Sequence, residues 1–326
     1  MPDARLMHGP SPDLWAARLP GQVFAVEQHA KAIRNDPGLA FTALIPEMDH
    51  FKGSEGGRVL PLLHPDGSPD VAPGLTAALG SLLDVDVNAR DLLAYVAALV
   101  AHPAFTARFT DELTTPGIRV SLTLDPELWQ QAVALGKQVL WLHTYGAAYA
   151  DPDEGRPVGN IRLPADDSRQ PRSLTPVTAM PTAMTYHEDA ETLALGDGEW
   201  APVTPQVAGY TVGGRNVLTS WFNYRKATPT GKKTSPLDKI HLDAWPTEWS
   251  IELIDLLAVL TRLAALEPEQ AELLDRILAG PLGDTGKLGE HGVRWPRNRR
   301  DRTPRYPLSG DDARSHPDAA QLPIDA

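Results

Sequence analysis

The chain has 326 residues, a net charge of −12, 42% hydrophobic and 22% charged residues, a composition that suits a globular protein of one large or two smaller domains. It has no cysteine, which excludes disulfides and thiolate metal sites and makes a cytoplasmic setting the simplest expectation. Met1-Pro2-Asp3 opens no signal peptide and no apolar run nears the roughly 20 residues of a membrane span, while the acidic balance argues against a general nucleic-acid coat but leaves room for a local basic patch, since phosphate fields act within about 8–10 Å.

Residues 1–20 are Pro-rich and irregular. From 21 to 150 the pattern predicts a β-hairpin followed by a helical subdomain. Gln22 to Ala30 and Leu39 to Ile45 read as short strands, the second stopped by Pro46. The polar, Gly-rich stretch from Asp49-His50-Phe51 to Gly56-Gly57-Arg58 then leads into the apolar run Val59 to Leu63, as a tight loop or hairpin would. Residues 70–84 form a weak helix or linker. Asn88 is a good helix N-cap, and Leu92, Tyr95, Val96 and Leu99 fall on one face behind it. His102-Pro103 breaks that helix, and a further turn carries Phe105 and Phe109. Asp125-Pro126-Glu127 is a strong helix start, and Leu128, Ala132, Leu135, Val139 and Leu142 keep a helical period that extends to about Tyr149.

Residues 151–180 lack periodicity and read as a loop or crossing. From 181 to 280 the pattern predicts a small β unit and then helices. Thr185 to His187, Thr192 to Leu195 and Glu199 to Val203 look like strands, with Asp197-Gly198 as a hairpin turn. Thr204-Pro205 starts one helical turn, Gly213-Gly214 is a flexible joint, and Arg215 to Lys226 is helical. Thr247 caps a helix carrying Leu253, Leu256, Leu257, Leu260 and Leu263, and Glu267-Pro268-Glu269 restarts a second, shorter one. The tail 281–326 holds eight Lys/Arg against seven Asp/Glu with few apolar residues, a composition that predicts disorder.

Several catalytic signatures are missing. A methyltransferase acting on a flipped adenine uses a short Asp/Asn/Ser-Pro-Pro-aromatic loop, and the chain has no Pro-Pro pair. It has no Gly-x-Gly-x-x-Gly, His-Glu-x-x-His or Gly-x-Ser-x-Gly. Gly231-Lys232-Lys233-Thr234-Ser235 has the flavour of a phosphate-binding loop, but Lys226 stands where its first glycine should be and no hydroxyl directly follows Lys232.

Recognition is better supported. The segment 222–241 carries five Lys/Arg against one acid, Asp238, in an otherwise acidic chain. Trp221 and Phe222 suit core packing, and on a helix Tyr224 shares a face with Val217 and Trp221, which points Asn223, Arg225 and Lys226 elsewhere. Arg and Asn read guanine and adenine edges bidentately, whereas lysines and hydroxyls suit phosphate. Arg215, Asn216, Asn223, Tyr224, Arg225 and Lys226 are therefore candidates for base or backbone contacts, and Lys232, Lys233, Thr234 and Ser235 for phosphate. Arg58, with His50 nearby, is a candidate for a second wall of the groove.

The chain also resembles the C-terminal specificity domain of type ISP restriction-modification enzymes over residues 25–280. The resemblance rests on Asp49-His50-Phe51 with Gly56-Gly57-Arg58-Val59-Leu60-Pro61-Leu62, on Asp91 to Val96 with His102-Pro103-Ala104-Phe105, and on Gly136 to Tyr145. It continues in Tyr210 to Gly214, Trp221-Phe222-Asn223-Tyr224-Arg225 and Ser235-Pro236-Leu237-Asp238. It implies a target-recognition domain that reads an asymmetric duplex sequence and presents adenine to an N6-adenine methyltransferase. In such enzymes S-adenosylmethionine, ATP and Mg belong to the methyltransferase, translocase and nuclease parts, for which this chain shows no motif. The fold expected is α+β: a helical middle section, a small antiparallel β unit and a C-terminal helix pair. The function expected is sequence-specific duplex DNA recognition without catalysis in this chain, its partners being DNA and a methyltransferase/translocase subunit. The alternatives are a module that docks on a methyltransferase without touching DNA, or a decayed fragment.

Overall fold

The computed structural model describes residues 12–29, 32–34, 36–46, 50–51, 57–226, 242, 244–298 and 300–307. After a short helix α1 (Pro12–Ala16), strands β1 (Phe24–Gln28), β2 (Leu39–Thr42) and β3 (Gly57–Pro61) form an antiparallel sheet in the order β2-β1-β3. The central strand is buried along its whole length, which explains its continuous apolar run Val23 to Val26 rather than an alternation. Its one charge, Glu27, is only 2% exposed and is matched in register by Arg58 on β3. The two side chains form an ion pair at 2.7 Å, and the other Glu27 oxygen accepts the Ile118 N–H at 2.7 Å. A carboxylate cannot be buried without such partners.

Helices α2 (Leu75–Leu83), α3 (Ala89–Val100), α4 (Pro103–Arg108) and α5 (Pro126–His143) follow. Asn88 and Asp125 cap α3 and α5 through their side chains as expected: Asn88 accepts the Asp91 N–H, and Asp125 the N–H groups of Glu127 and Leu128. The two helices pack very closely, because Ala94 on α3 lies against Gly136 on α5. A Cβ at Gly136 would lie 1.7 Å from the Ala94 carbonyl oxygen. Helix α5 ends at His143, short of the expected Tyr149. Tyr145 (φ 51°) and Gly146 (φ 74°) turn left-handed, and the Gly146 N–H returns to the Trp141 carbonyl to close the helix end.

Strand β4 (Leu122–Thr123) precedes α5, and the second sheet comprises β5 (Arg172–Thr175), β6 (Met184–His187), β7 (Thr192–Leu195) and β8 (Gly198–Ala201), antiparallel in the order β5-β8-β7-β6. Leu193, Leu195 and Trp200 form its buried face. Strand β5 was not expected: it is an edge strand with every residue exposed, so it carries no hydrophobic alternation. The β7–β8 turn falls on Gly196-Asp197, one residue before the anticipated pair, with Gly196 at φ 60°.

Next come α6 (Pro205–Ala208), the hairpin β9 (Thr211–Val212) and β10 (Arg215–Asn216), α7 (Val217–Asn223), and α8 (Thr247–Ala279). The anticipated break at Glu267-Pro268 does not occur, and the C-terminal helix pair is a single helix of 33 residues containing Pro268. An internal proline costs a helix about 3 kcal/mol. Here one buried stripe continues across it, from Leu253 to Leu263 and on through Leu273, Leu274 and Ile277, and each buried leucine contributes roughly 1.5–3 kcal/mol. Just past the proline, the buried Gln270 amide donates to the Ala98 carbonyl at 2.9 Å and ties α8 to α3.

Residues 281–298 and 300–307 of the tail, for which composition predicts disorder, contain folded elements, and the remainder of it lies outside the described residues. Strand β11 (Leu282–Gly283) pairs with β4, and Asp284 caps α9 (Thr285–Glu290). Leu288 and Val293 are buried, the Arg294 N–H donates to the Pro73 carbonyl, and the Asp66 N–H donates to the Arg305 carbonyl. Main-chain hydrogen bonds to residues 66 and 73 help hold the segment, and composition does not reveal these. The first sheet, the helices and the inner face of the second sheet share one continuous hydrophobic core. The fold is a mixture of helices with small antiparallel sheets, as expected. Among the described residues, no helix is long and apolar enough to cross a membrane.

Two measurements test this packing. Gly136→Ala forces α3 and α5 apart and should cost about 3 kcal/mol, read from the urea midpoint. Glu267 lies beside the buried Tyr210, and burial pushes its carboxyl from 4.5 up to about 7. Because the folded value is the higher one, the protonated group's contribution is fully present below about 4.5 and is lost as the pH rises through about 7. Glu267→Gln should therefore raise the melting temperature at pH 8 and leave it unchanged at pH 4.5.

Candidate nucleic-acid interface

The residues singled out for recognition sit on the hairpin β9–β10 and on α7. Gly213 (φ 59°) and Gly214 (φ 73°) are both left-handed, as a two-residue hairpin turn with matching twist requires. This turn is fastened to the first sheet. The Gly213 N–H donates to the Pro37 carbonyl at 2.9 Å, and the Gly214 N–H to the Asp36 carboxylate at 2.7 Å. A Cβ on Gly213 would meet the Phe51 ring at 2.2 Å. His50 packs edge-to-face on Phe51 at 5.0 Å, so the fold brings His50 to the hairpin that carries Arg215. Beneath them lies His143, edge-on to Phe41; burial and the nearby His50 push its imidazole down to about 4, so it is neutral at ordinary pH.

Asn216 is an N-cap. Its Oδ1 accepts the Thr219 N–H at 2.8 Å and its Nδ2 donates to the Ala208 carbonyl at 2.7 Å, so one end of the amide caps α7 and the other ties it to the end of α6. Leu218 and Phe222 bury the inner face of that helix. Asn223 and Tyr224 emerge at its far end, Tyr224 at 73% exposure. The side chains of Arg215 and Lys226 are half-buried and form no hydrogen bond or ion pair with other described residues.

Arg225 turns inward. Its Nη1 donates to the Trp221 carbonyl at 2.9 Å, its Nη2 pairs with Glu252 Oε1 at 2.6 Å, and its guanidinium lies over the Trp221 ring at 4.4 Å. Arg58 is likewise engaged, with Glu27. Lys232, Lys233, Thr234 and Ser235 lie outside the described residues.

The partners that frame Arg225 are not among the residues the sequence singles out. Trp245 contacts both Trp221 and Trp249 edge-to-face, at 6.0 and 5.1 Å, and donates to Ser250 Oγ at 2.9 Å. Trp245, Trp249 and Glu252 recur at four and three residues across the start of α8, which places them on one side of it, and that spacing was the available signal. Next to them, Arg162 Nε pairs with Asp255 Oδ1 at 2.5 Å. Among the described residues, no group of three or more His, Asp or Glu side chains is arranged to hold a metal ion. A depression of about 480 Å³ lies between α5 and α8, where Gln131, Gln138, Glu154, Arg156, Glu269 and Arg276 mix both charges, with no convergence that would suggest chemistry.

The model of the Type ISP C-terminal specificity domain matches residues 1–256. The chain belongs to this family. The specificity domain is also similar to part of the chain in a cryoEM structure of a DrdV–DNA complex, with a TM-score of 0.58, 18% identity, and coverage of 82% of this chain and 26% of that one. A nuclease-deletion mutant of the Type ISP restriction-modification enzyme LlaGI, solved with a DNA substrate mimic, matches at a TM-score of 0.46 and 16% identity, covering 80% of this chain and 21% of that one. The specificity domain thus spans about a quarter or less of those chains. None of the curated proteins matches the sequence. The fastening of the β9–β10 hairpin and α7 leads to one local expectation: Asn216→Ala removes the cap of α7 and should lower stability by about 1 kcal/mol in chemical denaturation.

Proposed function

We propose that this specificity domain recognises a short sequence in duplex DNA and serves the catalytic parts of a type ISP-like restriction-modification system. The observation that carries the reading is the family match across residues 1–256, together with the similarity to part of a DrdV chain solved in complex with DNA. The exposed end of α7 supports it physically: Asn223 and Tyr224 stand outward beside Lys226, immediately ahead of the lysine-bearing stretch 227–241.

The roles follow from side-chain chemistry. Asn223 suits an adenine edge, which takes an amide bidentately. Tyr224 offers a ring to sugar or base. Lys226, Lys232 and Lys233 suit phosphate, helped by the hydroxyls of Thr234 and Ser235. Arg215 and His50, brought together through Phe51 and the Gly213 turn, form the neighbouring wall. Arg58 and Asn216 hold the scaffold. In this reading S-adenosylmethionine, ATP and Mg are bound by the methyltransferase and translocase parts of the system, in another chain or segment.

The test is selection from a randomised duplex library at two salt concentrations, with and without a cognate methyltransferase. Enrichment of a short motif is expected. Asn223→Ala should relax one position of that motif at a cost of about 1–3 kcal/mol. Lys226→Ala should weaken all sequences alike and reduce the log–log salt slope by about 1. Retention on the methyltransferase alone, insensitive to DNA and salt, would instead make the chain a protein-docking module.

A further inference from the structure

We propose that Arg225 is a positioning residue for DNA recognition: with Glu252, Trp221 and Trp249 it clamps the end of α7 to the start of α8, so that Asn223 and Tyr224 are presented in one orientation. The inference rests on the DNA-recognition reading above, and gives that surface the internal support a reading element needs.

The chemistry of the clamp is specific. A single carboxylate oxygen on α8, Glu252 Oε1, receives two donors from α7: Arg225 Nη2 at 2.6 Å and Trp221 Nε1 at 3.0 Å. The guanidinium lies 4.4 Å from the centre of the Trp221 ring and 5.7 Å from that of Trp249. Its Nη1 donates to the Trp221 carbonyl, a C-terminal helix carbonyl with no partner within the helix. Trp245 packs edge-to-face against both other indoles. Residues 221–225 and 245–252, the two ends between which the chain runs through 227–241, are thereby joined.

The same geometry distinguishes Arg225 from its neighbours. A guanidinium that reads guanine offers two parallel N–H groups outward to O6 and N7. In Arg225 each terminal nitrogen already donates inside the protein, and the side chain is only 20% exposed. Asn223 and Tyr224, two residues and one residue earlier, are exposed. Lysine cannot replace this arrangement, because it lacks the planar fork that donates in two directions while stacking on an indole.

The experiment compares the wild-type domain with Glu252→Gln, Arg225→Lys, Arg225→Ala and the double variant Arg225→Ala/Glu252→Gln. Each is measured well below its melting temperature, by titration of the duplex selected by the wild type at several salt concentrations. Glu252→Gln keeps an acceptor for both donors and removes only the charge, so it serves where Arg225→Ala fails to fold. Positioning predicts that Glu252→Gln, which removes no cation, lowers affinity about tenfold. It also predicts that Arg225→Lys does not restore affinity, that the double variant is no worse than the worse single one, and that the salt slope stays at its wild-type value. The tryptophan emission of the folded variants should shift with the affinity. The clamp proposal alone is overturned if Arg225→Ala relaxes one motif position or flattens the salt slope while Glu252→Gln binds normally, since Arg225 would then contact DNA directly. It is also overturned if both variants lose thermal stability but bind with unchanged affinity. A wild-type domain that retains no duplex overturns the DNA reading and the clamp's role together.

Discussion

The approach of α5 to α3 at Gly136 is the contact on which the rest of the structure depends. Helices meet this closely only where the side chains between them nearly vanish, and Gly136 opposite Ala94 meets that condition. The tight pair provides a flat base across which α8 can lie, with its leucine stripe bridging Pro268. Helix α5 also extends far enough to place His143 under the first sheet and Trp141 under Arg262, whose guanidinium lies 4.6 Å from the indole. The parts that meet at the proposed interface, the first sheet, the hairpin and the start of α8, are all positioned from this base.

Legibility in the sequence followed the physical range of the signal. The caps at Asn88 and Asp125 and the strands β1, β2, β6 and β7 are local, and each was readable from a few residues. The end of α5 depended on left-handed residues at Tyr145 and Gly146, and tyrosine gives no hint of that conformation. Continuity of α8 through Pro268 is a tertiary effect: a proline that would end an isolated helix is outweighed by packing on both sides of it. The order of the tail is also tertiary, since two buried side chains and main-chain hydrogen bonds to residues 66 and 73 leave no periodic trace.

The candidate site was legible in composition but not in the role of each side chain. The concentration of cations and aromatics after Tyr210 was visible, and the fold brings the turn of the hairpin that carries Arg215 against Phe51, on which His50 packs. Which cation faces outward was not visible. In the sequence, Arg225 and Lys226 are adjacent and look equivalent; in the structure one is enclosed by indoles and the other is not. Asn216 and Asn223 divide in the same way, one spent on a helix cap and the other exposed.

This division has an electrostatic logic. A protein with a net charge of −12 that approaches DNA must keep its carboxylates from repelling phosphate. Around the proposed surface, arginines serve as internal counterions: Arg58 for Glu27, Arg225 for Glu252 and Arg162 for Asp255. Arginine suits that task because its fork binds a carboxylate while its flat face stacks on an aromatic ring. Phosphate contact needs only a mobile positive charge, which lysine supplies, and Lys226, Lys232, Lys233 and Lys239 cluster at the exposed end of α7 and in the stretch beyond it. The acidity of the chain and its DNA reading are then compatible. Glu27, Asp255 and Glu252 each have an arginine partner, and in the proposed reading the lysines make the salt-dependent contacts on which duplex affinity mainly rests.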